Sequence, residues 1–144
     1  MKVIYEQVQK SQEEAAHIKA VQKTATIQQA IDLLENGGQT IWCRHRNETI
    51  RIPLHQIYYV ESVDKHTYVY LKDTCYETKN RLYELEKIFD PLFARCSKAM
   101  IINLRKVKQV QYEIGGRMRA ELLNGEEIII SRSYVKEIKR RLDL

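Results

Sequence analysis

The sequence predicts a mostly β, α+β domain preceded by a short N-terminal extension, and three observations carry that expectation. From residue 41 onward apolar and polar residues tend to alternate, as half-buried strands require. Asn124-Gly125 sits between two such runs and is a strong hairpin signal. Only two segments of this region have helical spacing: residues 81–89, with Leu82, Leu85, Ile88 and Phe89 on one face, and residues 133–142, with Val135, Ile138 and Leu142.

In the extension, residues 3–8 and 17–22 read as strands and residues 11–14 as a turn or a short helical start. Ile27, Ala30, Ile31 and Leu34 then fall on one helical face, capped by Thr24 or Thr26 and stopped by Gly37-Gly38. The extension is therefore β-β-α or helical, and a boundary near residue 38 divides the chain into 1–38 and 39–144. Strands at 41–45 and 49–52 flank the Arg46-Asn47-Glu48 corner, and Pro53, lacking a ladder donor, ends the run. Strands at 57–61 and 67–71 are separated by a charged loop, 62–66, and a short strand fits 75–78. Asn80 caps the internal helix and Asp90-Pro91 terminates it. Strands at 100–102 and 107–112 bracket an irregular stretch in which Asn103, polar within an apolar run, is expected to bond backbone in the core. Gly115-Gly116 marks a turn. Residues 117–122 alternate, with Met118, Ala120 and Leu122 on one face, and Asn124-Gly125 reads as a type I′ turn into the partner strand 126–130. Ser131 or Ser133 caps the last helix.

The charge is unevenly placed. Residues 1–40 carry four Lys/Arg against five Asp/Glu, and residues 41–144 carry twenty against fourteen, so the basic excess, six charges, belongs to the second part and suits a polyanionic partner. No apolar run is long enough to span a membrane, and the acidic N-terminus does not read as an export signal, so a cytoplasmic location is expected. Cys43, Cys75 and Cys96 are an odd set without CxxC spacing, which argues against a disulfide framework or zinc site. His17, His45, His55 and His66 are scattered, the Glu84/Glu86 pair reads as a solvated helix face, and no nucleophile elbow, HExxH, P-loop or dinucleotide fingerprint occurs. No enzyme, metal or cofactor is expected. Some 40 residues ahead of the basic part are also too few for a doubly wound phosphoacceptor domain.

Three segments, IYYVESVDKHTYVYL (57–71), RLYELEKIFDPLFARCSKAMIINLRKVKQV (81–110) and ELLNGEEIIISRSYVKEIKRRL (121–142), resemble the LytTR family of DNA-binding domains in order and spacing. The most specific parts are the F-x-R-C-S-K-A-x-x-I-N-L block and the N-G…S-R-x-Y pattern before the last helix. The resemblance covers roughly residues 40–144. It implies a β-β-β arrangement of small sheets packed side by side, and a bacterial transcriptional regulator, without a receiver domain, that binds direct-repeat half-sites of double-stranded DNA as two protomers.

The resemblance further implies that loops 64–67, 97–99 and 132–134 read the major groove. His66 is expected at a base edge and Lys65 at phosphate, while Lys98 stands at either guanine or phosphate. Arg132 and Ser133 begin the last helix, where free N–H groups favour phosphate. Many relatives carry a second Arg where this chain has Ser133, so the guanine contact there is missing or falls to Arg132. Lys79, Asn80, Arg81, Arg95 and Tyr134 are expected as secondary phosphate contacts, Arg95 equally as a structural ion-pair partner. Cys96 reads as a small buried residue. Tyr58, Tyr59, Tyr68 and Tyr70 read as sheet residues rather than a base-stacking platform. Two rival readings stand beside duplex binding: a protein-interaction module whose N-terminal helix docks a membrane sensor, and a binder of single-stranded or structured RNA. In the leading reading the N-terminal residues dimerise the protein or dock a partner.

Overall fold

Ile101 and Ile102 are adjacent in sequence and both buried, at 1% and 0% exposure. Successive side chains of a strand point to opposite faces. Strand β7 (Met100–Asn103) is therefore covered on both sides, and the domain is built around it. The computed structural model describes residues 1–12, 15–36, 39–89 and 91–144, in two units, Met1–Gly38 and Gln39–Leu144.

The second unit contains strands β1 (Thr40–His45), β2 (Glu48–Pro53), β3 (Tyr59–Val63), β4 (His66–Tyr70) and β5 (Cys75–Thr78), then helix α2 (Leu82–Ile88). Strands β6 (Phe93–Ser97), β7, β8 (Val107–Tyr112), β9 (Met118–Leu122) and β10 (Glu127–Ile130) follow, and helix α3 (Arg132–Arg141) closes the unit. A seven-stranded sheet has the order β2-β1-β5-β4-β3-β7-β6, and a three-stranded sheet the order β10-β9-β8. All pairings are antiparallel. The mostly β architecture expected from the alternation is thus what forms.

Two cores lie on opposite faces of the large sheet. Ile41, Cys43, Val60, Val69, Phe93 and Ile101 pack with Leu82, Leu85 and Phe89 of the α2 region. Ala94, Cys96 and Ile102 face the other way, toward Met118, Ala120 and Leu122 of β9, Ile128 and Ile130 of β10, and Ile138 of α3. Each of these larger side chains contributes roughly 1.5–3 kcal/mol by leaving water. Asn103, fully buried, donates from Nδ2 to the Ile57 carbonyl at 2.7 Å and accepts the Arg105 N–H at 3.1 Å, the backbone role expected of it.

Several local expectations are corrected. Among the described residues of 1–24 no strand forms, so the extension takes the helical alternative. Its helix, α1 (Ala25–Asn36), is capped by Thr24, whose hydroxyl accepts the Ile27 N–H at 3.3 Å. Leu34, expected on the inward face, is exposed. The Gly37-Gly38 stop, Glu13 and Glu14 of the first turn, and Asp90 lie outside the described residues. Asn80 does not cap α2. Arg81 holds that position, its N–H donating to Glu84 Oε1 at 3.2 Å, while the Asn80 N–H goes to the Thr78 hydroxyl. Ser131 occupies the N-cap of α3, but its hydroxyl makes no cap bond, and Ser133 is inside the first turn.

The β9–β10 hairpin forms at Asn124-Gly125 without a type I′ turn, because only Gly125 has positive φ, +89°. The Gly125 N–H donates to the Leu122 carbonyl at 2.9 Å and the Leu122 N–H to the Glu126 carbonyl at 2.8 Å, which is a type I turn closed by a glycine bulge. Asn124 is drawn into other bonds: Nδ2 reaches the Lys72 carbonyl at 3.1 Å and Oδ1 accepts the Glu126 N–H.

Asn103→Ala strands the buried Ile57 carbonyl without a partner. It should lower unfolding stability of the full chain by about 1–3 kcal/mol, read by denaturant titration.

Candidate nucleic-acid interface

The antiparallel ladder determines which turns share an end of the sheet. Strand β3 runs into the Asp64-Lys65 turn and β4 runs back, with Val63 opposite His66. Strand β7 lies beside β3 with Met100 opposite Glu61, and the Ser62 N–H continues that pairing to the Ala99 carbonyl at 2.8 Å. The turns at 64–65 and 97–99 are therefore neighbours. Strand β5 pairs Thr78 with Thr67, which brings Lys79, Asn80 and Arg81 to the same end.

The third loop is tied in by an irregularity. Between Arg95 and Ser97 the register of β6 against β7 shifts, which leaves Cys96 as an extra residue. A bulged residue is released from regular ladder pairing. The Cys96 carbonyl instead accepts the Ser131 N–H at 2.8 Å, so α3 begins where β6 ends. The Cys96 side chain is fully buried, as expected, and burial pushes its thiol up to about 12, which keeps it protonated and unreactive.

Lys65, His66, Lys98, Arg132 and Ser133 are all exposed and come from these three converging segments. The first loop is tighter than expected. Its strands extend to Val63 and His66, and the turn is only Asp64 and Lys65, both at positive φ, +49° and +67°. Two consecutive positive-φ residues match the right-handed strand twist but cost a lysine conformational strain. His66 Nδ1 lies 2.7 Å from Glu77 Oε1.

Of the secondary candidates, Lys79 and Arg81 are exposed at the same end and Asn80 is half-buried. Arg95 takes the structural role. Its Nε bonds Glu86 and its guanidinium donates to the Lys98 carbonyl at 2.5 Å, so it braces the second loop against α2. Tyr134 is half-buried and packs against the second core. Three of the four strand tyrosines are occupied within the protein: Tyr59 and Tyr70 stack on each other at 4.3 Å, the Tyr59 hydroxyl donates to Glu126 at 2.7 Å, and Tyr58 is buried.

One group was missed at the sequence level. Arg132, Lys136 and Arg140 recur at i, i+4 spacing and line a shallow groove with Lys139, Val135, Leu144 and Gly116. The spacing is present in the sequence, on the same helix as the inward stripe of Val135, Ile138 and Leu142. Arg140 is engaged with Glu137 at 2.6 Å, and hydrogen bonds from Arg140 and Arg141 hold that carboxyl down to about 2. Arg141 also donates to the Pro91 and Phe93 carbonyls, at 3.0 and 2.7 Å, which pins the far end of α3 beside the start of β6.

Among the described residues no group of three or more His, Cys, Asp or Glu is placed to hold a metal ion. No helix of the described chain is long and apolar enough to cross a membrane.

Comparison with known proteins defines the class as a DNA-binding domain of transcriptional regulators. The family model described as "LytTr DNA-binding domain" matches residues 47–143, well over half of the chain. The chain belongs to the LytTR family. A solved structure described as the LytTr DNA-binding domain of a methyl-accepting/DNA response regulator from Bacillus cereus is similar with a TM-score of 0.70 at 25% identity, covering 75% of this chain and 100% of that one. The sensory transduction protein LytT of Enterococcus faecalis is 29% identical over 89 residues, 61% of this chain and 37% of that protein. An HTH-type transcriptional regulator of Staphylococcus aureus, otherwise uncharacterised, is 33% identical over 82 residues, 57% of this chain and 56% of its own length. The match thus spans about half or less of these two relatives. Among the described residues of 39–144, α2 and α3 are separated by five strands and do not form the helix-turn-helix of that second name.

Lys65→Gly relieves a side chain held at φ +67°. It should raise unfolding stability by about 0.5–1 kcal/mol while weakening duplex binding, with melting and fluorescence anisotropy as the two readouts.

Proposed function

We propose that this domain binds double-stranded DNA sequence-specifically, entering the major groove at direct-repeat half-sites with loops 64–67, 97–99 and 132–134, one protomer per half-site. The observation that carries this reading is the pair of backbone bonds that gathers the loops, Ser62 to Ala99 and Ser131 to Cys96. A ladder-anchored turn holds a side chain to the tolerance that base reading demands, and a rigid scaffold is what loop recognition needs in place of a helix. His66 and Arg132 meet base edges. Lys65 and Ser133 meet phosphate, and Lys98 meets guanine or phosphate. Lys79, Asn80 and Arg81 are secondary phosphate contacts. Arg95 and Tyr134 act by holding the loops.

Helix α3 runs back from this end. With a rise of about 1.5 Å per residue, Lys136 lies about 6 Å and Lys139 about 10 Å behind Arg132. The major groove is about 8.5 Å deep, so residues set back by that amount stand level with the phosphates when the loop tips reach the bases. Lys136 and Lys139 therefore neutralise phosphates flanking the half-site.

The first test is binding of the full chain to a duplex from its own upstream region, against scrambled duplex and single strand. The native duplex should be preferred, and a Lys65/His66/Lys98/Arg132 alanine variant should lose the preference. Equal binding to all three nucleic acids would overturn the reading. A Lys136→Ala/Lys139→Ala variant should weaken binding to every duplex alike and reduce the slope of log affinity against log salt by roughly two.

The N-terminal unit supports a partner-docking or dimerisation role, because Leu33 and Leu34 of α1 are exposed at 44% and 60%. The partner would be a second protomer or, in the alternative reading, a membrane sensor. Making both leucines polar should abolish that association and leave DNA affinity of the isolated binding event unchanged, measured by sedimentation and anisotropy.

A further inference from the structure

Resting on the reading that His66 meets a base edge, we propose that Glu77 is a positioning residue. It fixes the tautomer of His66, so that the ring, when neutral, presents Nε2 to the duplex as an acceptor. His66 then selects an exocyclic amine, adenine N6 or cytosine N4, rather than a guanine edge.

The geometry begins with the sheet. Glu77 sits on β5 between two partners, opposite Tyr68 of β4 and opposite Arg44 of β1. Side chains alternate along a strand, so His66 and Tyr68 share a face, and Glu77 lies diagonally within reach of His66. The distance from His66 Nδ1 to Glu77 Oε1 is 2.7 Å. Arg44 Nη2 stands 3.9 Å from the same oxygen and holds the carboxylate from the far side. The Tyr68 ring centroid is 6.3 Å from that of His66. On the face that carries the imidazole, β4 supplies Tyr68, β5 supplies Glu77 with Lys79 just beyond it, and β1 supplies Arg44. Val63 of β3 stands opposite and does not ionise.

A carboxylate oxygen accepts hydrogen bonds and does not donate them, so the ring nitrogen facing it carries the proton. A neutral imidazole with Nδ1–H has a lone pair, and no hydrogen, on Nε2. Nε2 has no partner among the described residues, and the side chain is 57% exposed. In the major groove the donors are adenine N6 and cytosine N4, whereas guanine offers only N7 and O6 acceptors. The complement of an Nε2 acceptor is therefore an amine.

Placement of an acid beside a polyanion also makes a contrary electrostatic prediction. Glu77 repels phosphate, so removing its charge favours non-specific association even as it releases the ring. A residue needed only for folding would weaken both kinds of binding when replaced, and one acting only by charge would weaken neither.

The experiment selects the full chain on a randomised duplex library and repeats the selection with His66→Ala and Glu77→Gln. One position should favour adenine or cytosine in the wild type, and His66→Ala should flatten it by about tenfold, the fold-change of a 1.4 kcal/mol base contact. Glu77→Gln offers the ring either an N–H or a carbonyl. It should relax the same preference several-fold while binding scrambled duplex more tightly than the wild type. Nitrogen-15 NMR of the wild-type imidazole, which needs no variant to fold, should show the Nδ1–H form when the ring is neutral. Guanine at the His66-dependent position, an Nε2–H ring in the wild type, or a preference unchanged in Glu77→Gln would overturn the inference while leaving DNA reading intact. A wild type without any sequence preference would overturn both.

Discussion

The whole interface hangs on the β6–β7 hairpin being buried on both faces. Phe93 and Ile101 enter one core, and Ala94, Cys96 and Ile102 enter the other. A slip of one residue would carry every side chain of this hairpin to the opposite face and out of its own core, so the register is strongly specified. That rigidity passes to the 97–99 turn directly, to the Asp64-Lys65 turn through the β3–β7 ladder, and to the start of α3 through the Cys96 carbonyl.

The charged residues at this end divide into those that hold the scaffold and those left to meet a ligand. Arg95 is used between Glu86 and the Lys98 carbonyl, and Arg141 between Glu137 and the carbonyls at the start of β6. Surface ion pairs of this kind add little stability, typically about 0–1 kcal/mol, yet they set where a loop sits. Lys65, Lys98, Arg132 and Lys136 are exposed and form no ion pair among the described residues. The net positive charge near the loops is therefore local, which suits diffusional capture of a duplex.

Alternation was enough to read most strands of residues 39–144, because each has one face in a core and the other in or near solvent. Met118, Ala120 and Leu122 against Arg119 and Glu121 are the plainest case. The helices were legible for the same reason at a period of 3.6. The failures share a cause as well. Residues 3–8 and 17–22 have strand composition, but a strand exists only when a neighbour supplies its ladder bonds, and these segments form none. Asn124 had the propensity for positive φ and adopted the other conformation, since its amide gains the Lys72 carbonyl and Glu126 there.

What the sequence determined by itself was the class of protein, the order of its elements and the residues able to meet a polyanion, since composition, periodicity and family motif are local properties. Which of those residues stand together was decided only by the tertiary structure. The bulge at Cys96 and the bond it frees for Ser131, the brace of Arg95, and the Glu77 carboxylate beside His66 are separated in sequence by 35, 9 and 11 positions, respectively, for the farthest partner in each contact. Such contacts follow from how antiparallel strands register and where two cores meet, and no local pattern encodes that register.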